Sequence, residues 1–201
     1  MLAFAGAFAL TAFAVMSGWT ESFDVRMLLY LDAVLPESLY GVMVFFTTIG
    51  YYRVAGVLAL VAAGVFLWLG WRASAVAITI STFGGMLATT VLKSAFGRER
   101  PDFIDSGYTA GYLSFPSGHA TMAVGFYGVL AAILFLHLRG SARWFVVAVG
   151  AALVALIGLS RVYLGVHYPS DVLAGYLVSP TVLALSYLIY SFVSSGTPEK
   201  N

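Results

Sequence analysis

Residues 54–92 read VAGVLALVAAGVFLWLGWRASAVAITISTFGGMLATTVL, and this segment determines the class of protein. It contains two apolar stretches, Val54–Trp71 and Ala75 to about Leu92, joined by the short turn Gly70–Ala73. A helix needs about 20 mostly apolar residues to cross a hydrocarbon core of roughly 30 Å. A turn this short forces consecutive helices to lie antiparallel and side by side. The segment therefore predicts two neighbouring transmembrane helices.

The rest of the chain has a similar composition. Hydrophobic residues make up 61% of it and charged residues 9%, with a mean hydropathy of +0.93, whereas soluble domains carry roughly 25% charged residues. Four further apolar stretches are long enough to cross a bilayer: Leu2 to about Trp19, Ser117–Leu138, Trp144 to about Leu164, and Ser170 to about Val193. We predict an all-α fold, a polytopic membrane helical bundle of six transmembrane helices in a single domain over residues 1–201.

The region between the first and second predicted spans is more polar. Charged residues from Glu21 to Asp32 are costly in hydrocarbon, so the chain is expected to leave the bilayer core there. Residues 27–48 are apolar but contain Asp32, Pro36 and Glu37, which favours helices at the membrane interface over another crossing. The first apolar stretch lacks the basic region and cleavage site of a signal peptide, and we expect a retained helix.

Charge and cysteine content exclude other classes of protein. The net charge of +1 is far from the clustered basic excess of nucleic-acid-binding surfaces, so no nucleic-acid partner is expected. The chain contains no cysteine, which excludes disulfides and thiolate metal sites. The hydrophobic composition predicts membrane lipids as partners, and it leaves the oligomeric state open.

Polar residues form three clusters that the predicted topology brings to one membrane face. The clusters are Lys93 with Arg100, then Ser117-Gly118-His119, and last Arg161 with His167 and Asp171. Two crossings separate the second cluster from the third, so both emerge on the side where the first one lies. A concentration of polar residues on one membrane face is typical of an active site at that surface.

Three of the clustered residues, Lys93, Arg100 and Arg161, are cations. Such a group is destabilised by mutual repulsion unless an anion binds among them. Guanidinium groups match phosphate oxygens in geometry, and a lysine adds a point charge. Gly118 stands near a helix start, where free backbone N–H groups can point at the same anion. The clusters therefore predict a phosphate site.

The two histidines suit phosphoryl transfer. His167 lies four residues before Asp171, so the carboxylate can accept a hydrogen bond from one ring nitrogen and leave the other as a nucleophile. His119 is then available to protonate the leaving oxygen. Phosphoryl transfer depends mainly on positioning and charge stabilisation, which the cations supply.

Together these residues resemble a known set of motifs. Lys93-x6-Arg100-Pro101, Pro116-Ser117-Gly118-His119 and Ser160-Arg161-x5-His167-x3-Asp171 are similar to the three motifs of the type 2 phosphatidic acid phosphatase superfamily, membrane branch. The resemblance implies a reaction without metal or other cofactor, in which His167 forms a phosphohistidine, Asp171 supports it and His119 is the general acid. It also implies that the phosphate is held by Lys93, Arg100, Ser117, Gly118 and Arg161.

The resemblance implies a phosphatase acting on a phosphomonoester or diphosphate of a membrane lipid. Candidates are undecaprenyl diphosphate, phosphatidylglycerol phosphate and phosphatidic acid. A lipid-to-lipid phosphotransferase would use the same chemistry with an acceptor hydroxyl in place of water. A non-catalytic lipid-phosphate binder or transporter would need polar residues near the middle of several spans. The predicted helix centres are almost free of charge, which argues against transport.

The remaining charges bear on the loops and on orientation. Four residues between the third and fourth spans are interpreted as loop charges rather than catalysts: Arg98, Glu99, Asp102 and Asp105. Arg72, Arg139 and Arg143 lie in short turns on the opposite face, which is typical of cytoplasmic turns. We therefore expect an active site on the extracytoplasmic face, and the small loops indicate a bacterial plasma membrane.

Overall fold

The predicted apolar stretches form helices, and so does most of the more polar region between the first and second of them. A computed structural model describes residues 2–104, 106–111 and 113–195, and within them it contains eight α-helices and no β-strand. The helices are α1 (Leu2–Met16), α2 (Glu21–Val34), α3 (Tyr40–Ile49), α4 (Tyr52–Trp68), α5 (Arg72–Phe96), α6 (Gly118–His137), α7 (Ser141–Tyr163) and α8 (Pro169–Ser195). π-Helical segments interrupt α5 at Ile80–Gly84 and α6 at Ala123–Gly128. The prediction of an all-α fold is confirmed.

Three of the described helices, α5, α6 and α7, are individually long and apolar enough to cross a bilayer. The pairs α1 with α2 and α3 with α4 pass the same test only when each pair is taken together, and they are bent by 89° and 51°. Length and composition therefore give three to five spans within the described ranges. The predicted number of six stays a prediction. The interfacial position expected of the segment after the first span likewise stays a prediction.

Helix α6 lies at the centre of the bundle. In its most apolar window 56% of the residues are buried inside the protein, against 33% for α5 and for α7. It packs against α4, α5, α7 and α8, and α8 also packs against α1. Small residues allow this close approach, as expected where lipid removes the hydrophobic drive between helices. A Cβ at Gly150 of α7 would lie 2.5 Å from the Ala131 Cβ of α6.

The ends of three helices bring the polar clusters together. Gly97 ends α5 in a left-handed conformation, with φ of +63°, and its N–H donates to the Lys93 carbonyl. Glycine adopts this conformation without the penalty that a Cβ imposes. At the start of α6, the N–H of Ser117 donates to the Asp171 carbonyl at 2.9 Å, which ties the start of α6 to the start of α8.

Candidate active site

A cavity of about 400 Å³ lies where α5 ends and α6 begins. Five of the eight predicted site residues line it: Lys93, Arg100, Gly118, His119 and His167. The remaining wall comes from α4, α5 and α6 through Tyr52, Met86, Thr89, Thr90 and Met122. Each of the three sequence clusters thus contributes to one chamber, which combines cations and imidazoles with apolar side chains.

The other three predicted residues, Ser117, Arg161 and Asp171, are buried, each with at most 1% of its surface exposed. The guanidinium of Arg161 donates from one terminal nitrogen to Thr47 Oγ1. Among the buried polar atoms that form no hydrogen bond in the described part of the chain, three belong to predicted site residues: Ser117 Oγ, Arg161 Nε and His119 Nε2. Buried polar groups are normally paired. Orphaned atoms on three neighbouring site residues fit a ligand with several polar oxygens.

The two ring nitrogens of His167 face different partners. Its Nε2 lies 2.9 Å from a terminal nitrogen of Arg100, and its Nδ1 lies 3.4 Å from Asp171 Oδ2 and 3.3 Å from Ser114 Oγ. A guanidinium only donates hydrogen bonds and a carboxylate only accepts them. The proton of neutral His167 therefore belongs on Nδ1, and Nε2 carries the lone pair.

His167 is held in its neutral form. Burial of the ring, together with the nearby charges of Arg100 and Arg161, lowers the pKa of His167 well below its ordinary value of 6.5. A neutral imidazole at pH 7 is the form that acts as a nucleophile.

The carboxylate of Asp171 is fixed from both sides. Its Oδ2 accepts from the Ser114 hydroxyl and from the Tyr168 N–H, the latter at 2.9 Å. Its Oδ1 accepts from Arg98 at 2.6 Å. The carboxylate has little freedom to rotate away from His167.

Two of the predicted phosphate-binding cations also contact backbone carbonyls. Lys93 Nζ donates to the carbonyls of Leu113 and Ser114 at 2.7 and 2.9 Å, and Arg100 donates to those of Gly111 and Val166. Burial and the charge of Arg161 lower the pKa of Arg100 to about 10, so it remains protonated at pH 7. These cations therefore hold the connection between α5 and α6 in place as well as placing charge at the cavity.

His119 approaches the cavity from the first turn of α6. Its ring centroid lies 6.1 Å from that of Tyr51, at the start of α4. Its Nε2 is one of the buried atoms without a hydrogen bond. The structure thus places the two predicted catalytic histidines on one cavity, His119 from the first turn of α6 and His167 from the connection between α7 and α8.

No cluster of three or more His, Cys, Asp or Glu side chains in the described part of the chain is arranged to hold a metal ion. The buried carboxylates of Asp24 and Asp171 both pair with Arg98.

The interpretation of Arg98 as a loop charge needs correction. Its side chain is only 15% exposed and forms ion pairs with Asp24 and Asp171. Its partner Asp24 lies 74 residues earlier in the chain, on α2, and no local sequence pattern predicts this ion pair. Glu99 and Asp102 are exposed, as a loop charge should be, and Asp105 lies outside the described residues.

Comparison with known proteins assigns the chain to a family. The profile of the PAP2 superfamily matches residues 73–194, more than half of the chain. The chain belongs to the PAP2 superfamily. The match begins at the start of α5 and includes all three clusters, whereas α1 to α4 lie outside it.

Two relatives and one solved structure show which PAP2 proteins are similar. Phosphatidylglycerophosphatase B of Bacillus subtilis is 38% identical over 53% of this chain and 51% of its own length. Lipid A 1-phosphatase of Rhizobium johnstonii is 35% identical over 66% of this chain and 56% of its own length. The chain therefore spans little more than half of each relative.

The solved structure matches over almost the whole chain. It is the crystal structure of a transmembrane PAP2-type phosphatidylglycerolphosphate phosphatase from Bacillus subtilis, with a TM-score of 0.81 and 26% identity. The superposition covers 99% of this chain and 98% of that one. Together with the apolar helices α5 to α7, this likeness shows an integral membrane protein with the membrane PAP2 fold.

Proposed function

We propose that this protein is a membrane phosphatase that hydrolyses a phosphomonoester or diphosphate of a lipid, with His167 as the nucleophile. The orientation of His167 carries the proposal. Its Nδ1 faces a fixed carboxylate, and the ring lines a cavity shared with Lys93, Arg100 and His119. The names of the two relatives described above specify phosphatases of phosphorylated lipids, which supports the same class of substrate for this protein.

In the first step of the proposed reaction, Nε2 of His167 attacks the phosphorus atom. A bond forms between this nitrogen and phosphorus, and the bond from phosphorus to the lipid oxygen breaks. His119 donates a proton to the departing oxygen. Asp171 stabilises the positive charge that develops on the imidazole ring through Nδ1.

In the second step, water hydrolyses the phosphohistidine. The water loses a proton to His119 as its oxygen bonds to phosphorus, and the bond between phosphorus and Nε2 breaks. His167 and His119 return to their starting forms, and inorganic phosphate is the product. The cycle uses protein groups alone, so we propose that it needs no metal or other cofactor.

The proposed phosphate position lies among Lys93, Arg100 and Arg161, next to Ser117 and Gly118 at the start of α6. Fixed cations and backbone N–H groups stabilise the charge on the transferring phosphoryl group without reorganising during the reaction. The orphaned Nε of Arg161 and the Ser117 hydroxyl would gain hydrogen bonds from the bound phosphate.

The apolar part of the cavity wall supports a lipid substrate. Met86, Met122 and Tyr52 continue the chamber from the cations along α4, α5 and α6. An acyl or prenyl chain can pack there while its headgroup meets the cations. Within this class, undecaprenyl diphosphate, phosphatidylglycerol phosphate and phosphatidic acid remain the proposed candidates, reached from the extracytoplasmic face of a bacterial plasma membrane.

Phosphate release from purified protein in detergent tests the proposal. We expect release from at least one of the three candidate lipids in the presence of a chelator. We also expect covalent phosphate on the protein after rapid quenching at alkaline pH. His167→Ala should lower turnover at least about a thousandfold and abolish the covalent phosphate, because the nucleophile is lost.

His137→Ala is the matched control for this experiment. His137 ends α6 away from the cavity and stacks on Trp71 with ring centroids 3.6 Å apart. It should retain wild-type turnover per folded molecule. Strict dependence on added Mg²⁺, or retained turnover in His167→Ala, would contradict the proposal. Recovery of the phosphoryl group on an added acceptor lipid, with little release of free phosphate, would favour the phosphotransferase instead.

A further inference from the structure

Asp24 is a fully buried acid in the helix predicted to lie at the membrane interface. It has no exposed surface, whereas its neighbours Glu21 and Asp32 on the same helix are exposed. A buried carboxylate is unfavourable unless it is paired and hydrogen-bonded. Asp24 also lies outside residues 73–194, which match the superfamily profile.

The partners of Asp24 lead directly to the proposed nucleophile. Its Oδ2 accepts from Arg98 at 2.9 Å, and its Oδ1 accepts from the Ser170 N–H at 3.0 Å. The Ser170 hydroxyl donates to Asp24 Oδ2 at 2.5 Å. Asp24 therefore fixes both a guanidinium group and the first turn of α8, which carries Asp171.

Arg98 connects two carboxylates that lie 147 positions apart in the numbering, Asp24 and Asp171. One terminal nitrogen contacts Asp24 and the other contacts Asp171 Oδ1 at 2.6 Å. The guanidinium carbon lies 4.1 Å from the centroid of the Tyr168 ring, which restricts the plane of the group. A planar fork of donors holds such a geometry, which a lysine cannot reproduce.

This bridge controls the orientation of Asp171. With Oδ1 held by Arg98, Oδ2 is directed at His167 Nδ1 and at its other two donors. If Asp24 lost its charge, Arg98 would lose one of its two carboxylate partners and could rotate about its contact with Asp171, which would turn the carboxylate away from the ring. A displacement of about 1 Å in a catalytic group can lower a rate by about a hundredfold.

We propose that Asp24 and Arg98 are positioning residues that orient Asp171 and, through it, the nucleophile His167. Helix α2 is thereby part of the catalytic apparatus of this PAP2 protein and not only a membrane-surface anchor. This inference rests on the proposed function, because it concerns the same nucleophile.

The variants Asp24→Asn and Arg98→Lys test the inference. Asparagine keeps the shape and the acceptor for Ser170 but removes the charge that holds Arg98. Lysine keeps the charge but cannot contact both carboxylates. For each variant we expect kcat and the single-turnover rate of covalent phosphorylation to fall about tenfold to a hundredfold, with KM within about threefold, because neither residue lines the cavity. The double variant should lose little more than either single variant, since both act through one contact.

Asp32→Asn is the matched control, because it makes the same change at an exposed position of the same helix. It should behave as the wild type. Rates are taken per folded molecule, with thermal unfolding measured alongside. A purely structural role would lower the unfolding temperature of Asp24→Asn and leave kcat of the folded fraction unchanged, which would overturn the inference.

If Asp24→Asn does not fold, Arg98→Lys decides the question, and wild-type kcat in that variant overturns the inference. Absence of activity in the wild-type protein would instead count against the proposed function. The two failures are therefore distinguishable.

Discussion

His167 combines complete burial with two polar partners of opposite kind. The ring is 1% exposed, with a donor-only guanidinium near Nε2 and a carboxylate near Nδ1. Two effects lower the pKa of His167 well below 6.5: the larger is desolvation by burial, and the next is the charge of Arg100. The unfolded chain has a histidine pKa of about 6.5. As the pH falls below that value, His167 becomes protonated in the unfolded chain but stays neutral in the folded protein.

The sign of this linkage gives a prediction about stability. Because the folded-state pKa is the lower one, His167 costs no stability above about pH 7 and destabilises the fold progressively as the pH falls below about 6.5. The loss is at most about 1.4 kcal/mol per pH unit. Thermal unfolding in detergent between pH 8 and pH 5.5 should show a steeper decline for the wild type than for His167→Gln. Parallel curves for the two proteins would contradict the assigned direction.

Local spacing predicted contacts at single residues better than pairings across the chain. The interval of four from His167 to Asp171 correctly indicated that the carboxylate faces the ring, because His167 lies two residues before α8 begins at Pro169 and Asp171 lies in the first turn of α8. The ion pair of Asp24 with Arg98 had no such signal, since Asp24 lies on α2 and Arg98 lies 74 residues later, in the connection after α5. The hydrogen bonds from Lys93 to backbone carbonyls could not be predicted from the sequence either, because they depend on the path of the connection after α5.

The contact between α6 and α8 depends on the absence of a side chain at Gly175. A Cβ there would lie 2.4 Å from the Ser117 carbonyl oxygen and 2.8 Å from the Ala120 Cβ. Both neighbours belong to the start of α6, and the backbone carbonyl cannot move aside without moving Ser117 and Gly118. The close approach therefore positions the proposed phosphate site.

Gly175→Ala should consequently damage both stability and catalysis. Overpacking of this kind costs about 1–3 kcal/mol, and we expect a lower thermal unfolding temperature together with a fall in kcat/KM of about tenfold or more. Gly64→Ala is the control, because a Cβ at Gly64 of α4 meets nothing within 4 Å. Wild-type kcat/KM and stability in Gly175→Ala would show that the α6 and α8 backbones tolerate a wider separation.

Helix positions followed from hydropathy, but helix geometry did not. The apolar stretch from Ala75 to about Leu92 matches α5, and Ser117–Leu138 matches α6, within a few residues. The π-helical segments inside both helices were not predicted. They lie where the two helices meet, with Thr82 Oγ1 donating to the Gly125 carbonyl at 3.1 Å, so they depend on packing between helices rather than on local propensity.

At the level of the whole bundle, the arrangement of the three clusters follows from chain topology. The first cluster ends α5, the second begins α6, and the third connects α7 with α8, so antiparallel neighbours bring all of them to one end. At the other end, Arg139 lies in the turn between α6 and α7, and Arg143 lies in the first turn of α7. Counting the membrane crossings between the clusters could predict this shared end, because the count needs only the order of the helices. The bend of α2 could not be predicted in the same way, because it requires the angle between α1 and α2.

The two ends of the bundle should lie on opposite sides of the membrane, with the cavity outside the cytoplasm. The chain contains no cysteine, so single-cysteine variants carry one label each. Ser141→Cys reports on the exposed first residue of α7, and Phe103→Cys reports on the connection after α5, where Phe103 is 43% exposed. In intact bacterial spheroplasts, a membrane-impermeant maleimide should label Phe103→Cys at once and Ser141→Cys only after permeabilisation, because arginine-containing short turns stay in the cytoplasm. The reverse pattern would place the cavity on the cytoplasmic side. Labelling of both variants in intact spheroplasts would contradict the odd number of crossings between these two positions and, with it, the membrane arrangement from which the shared site was inferred.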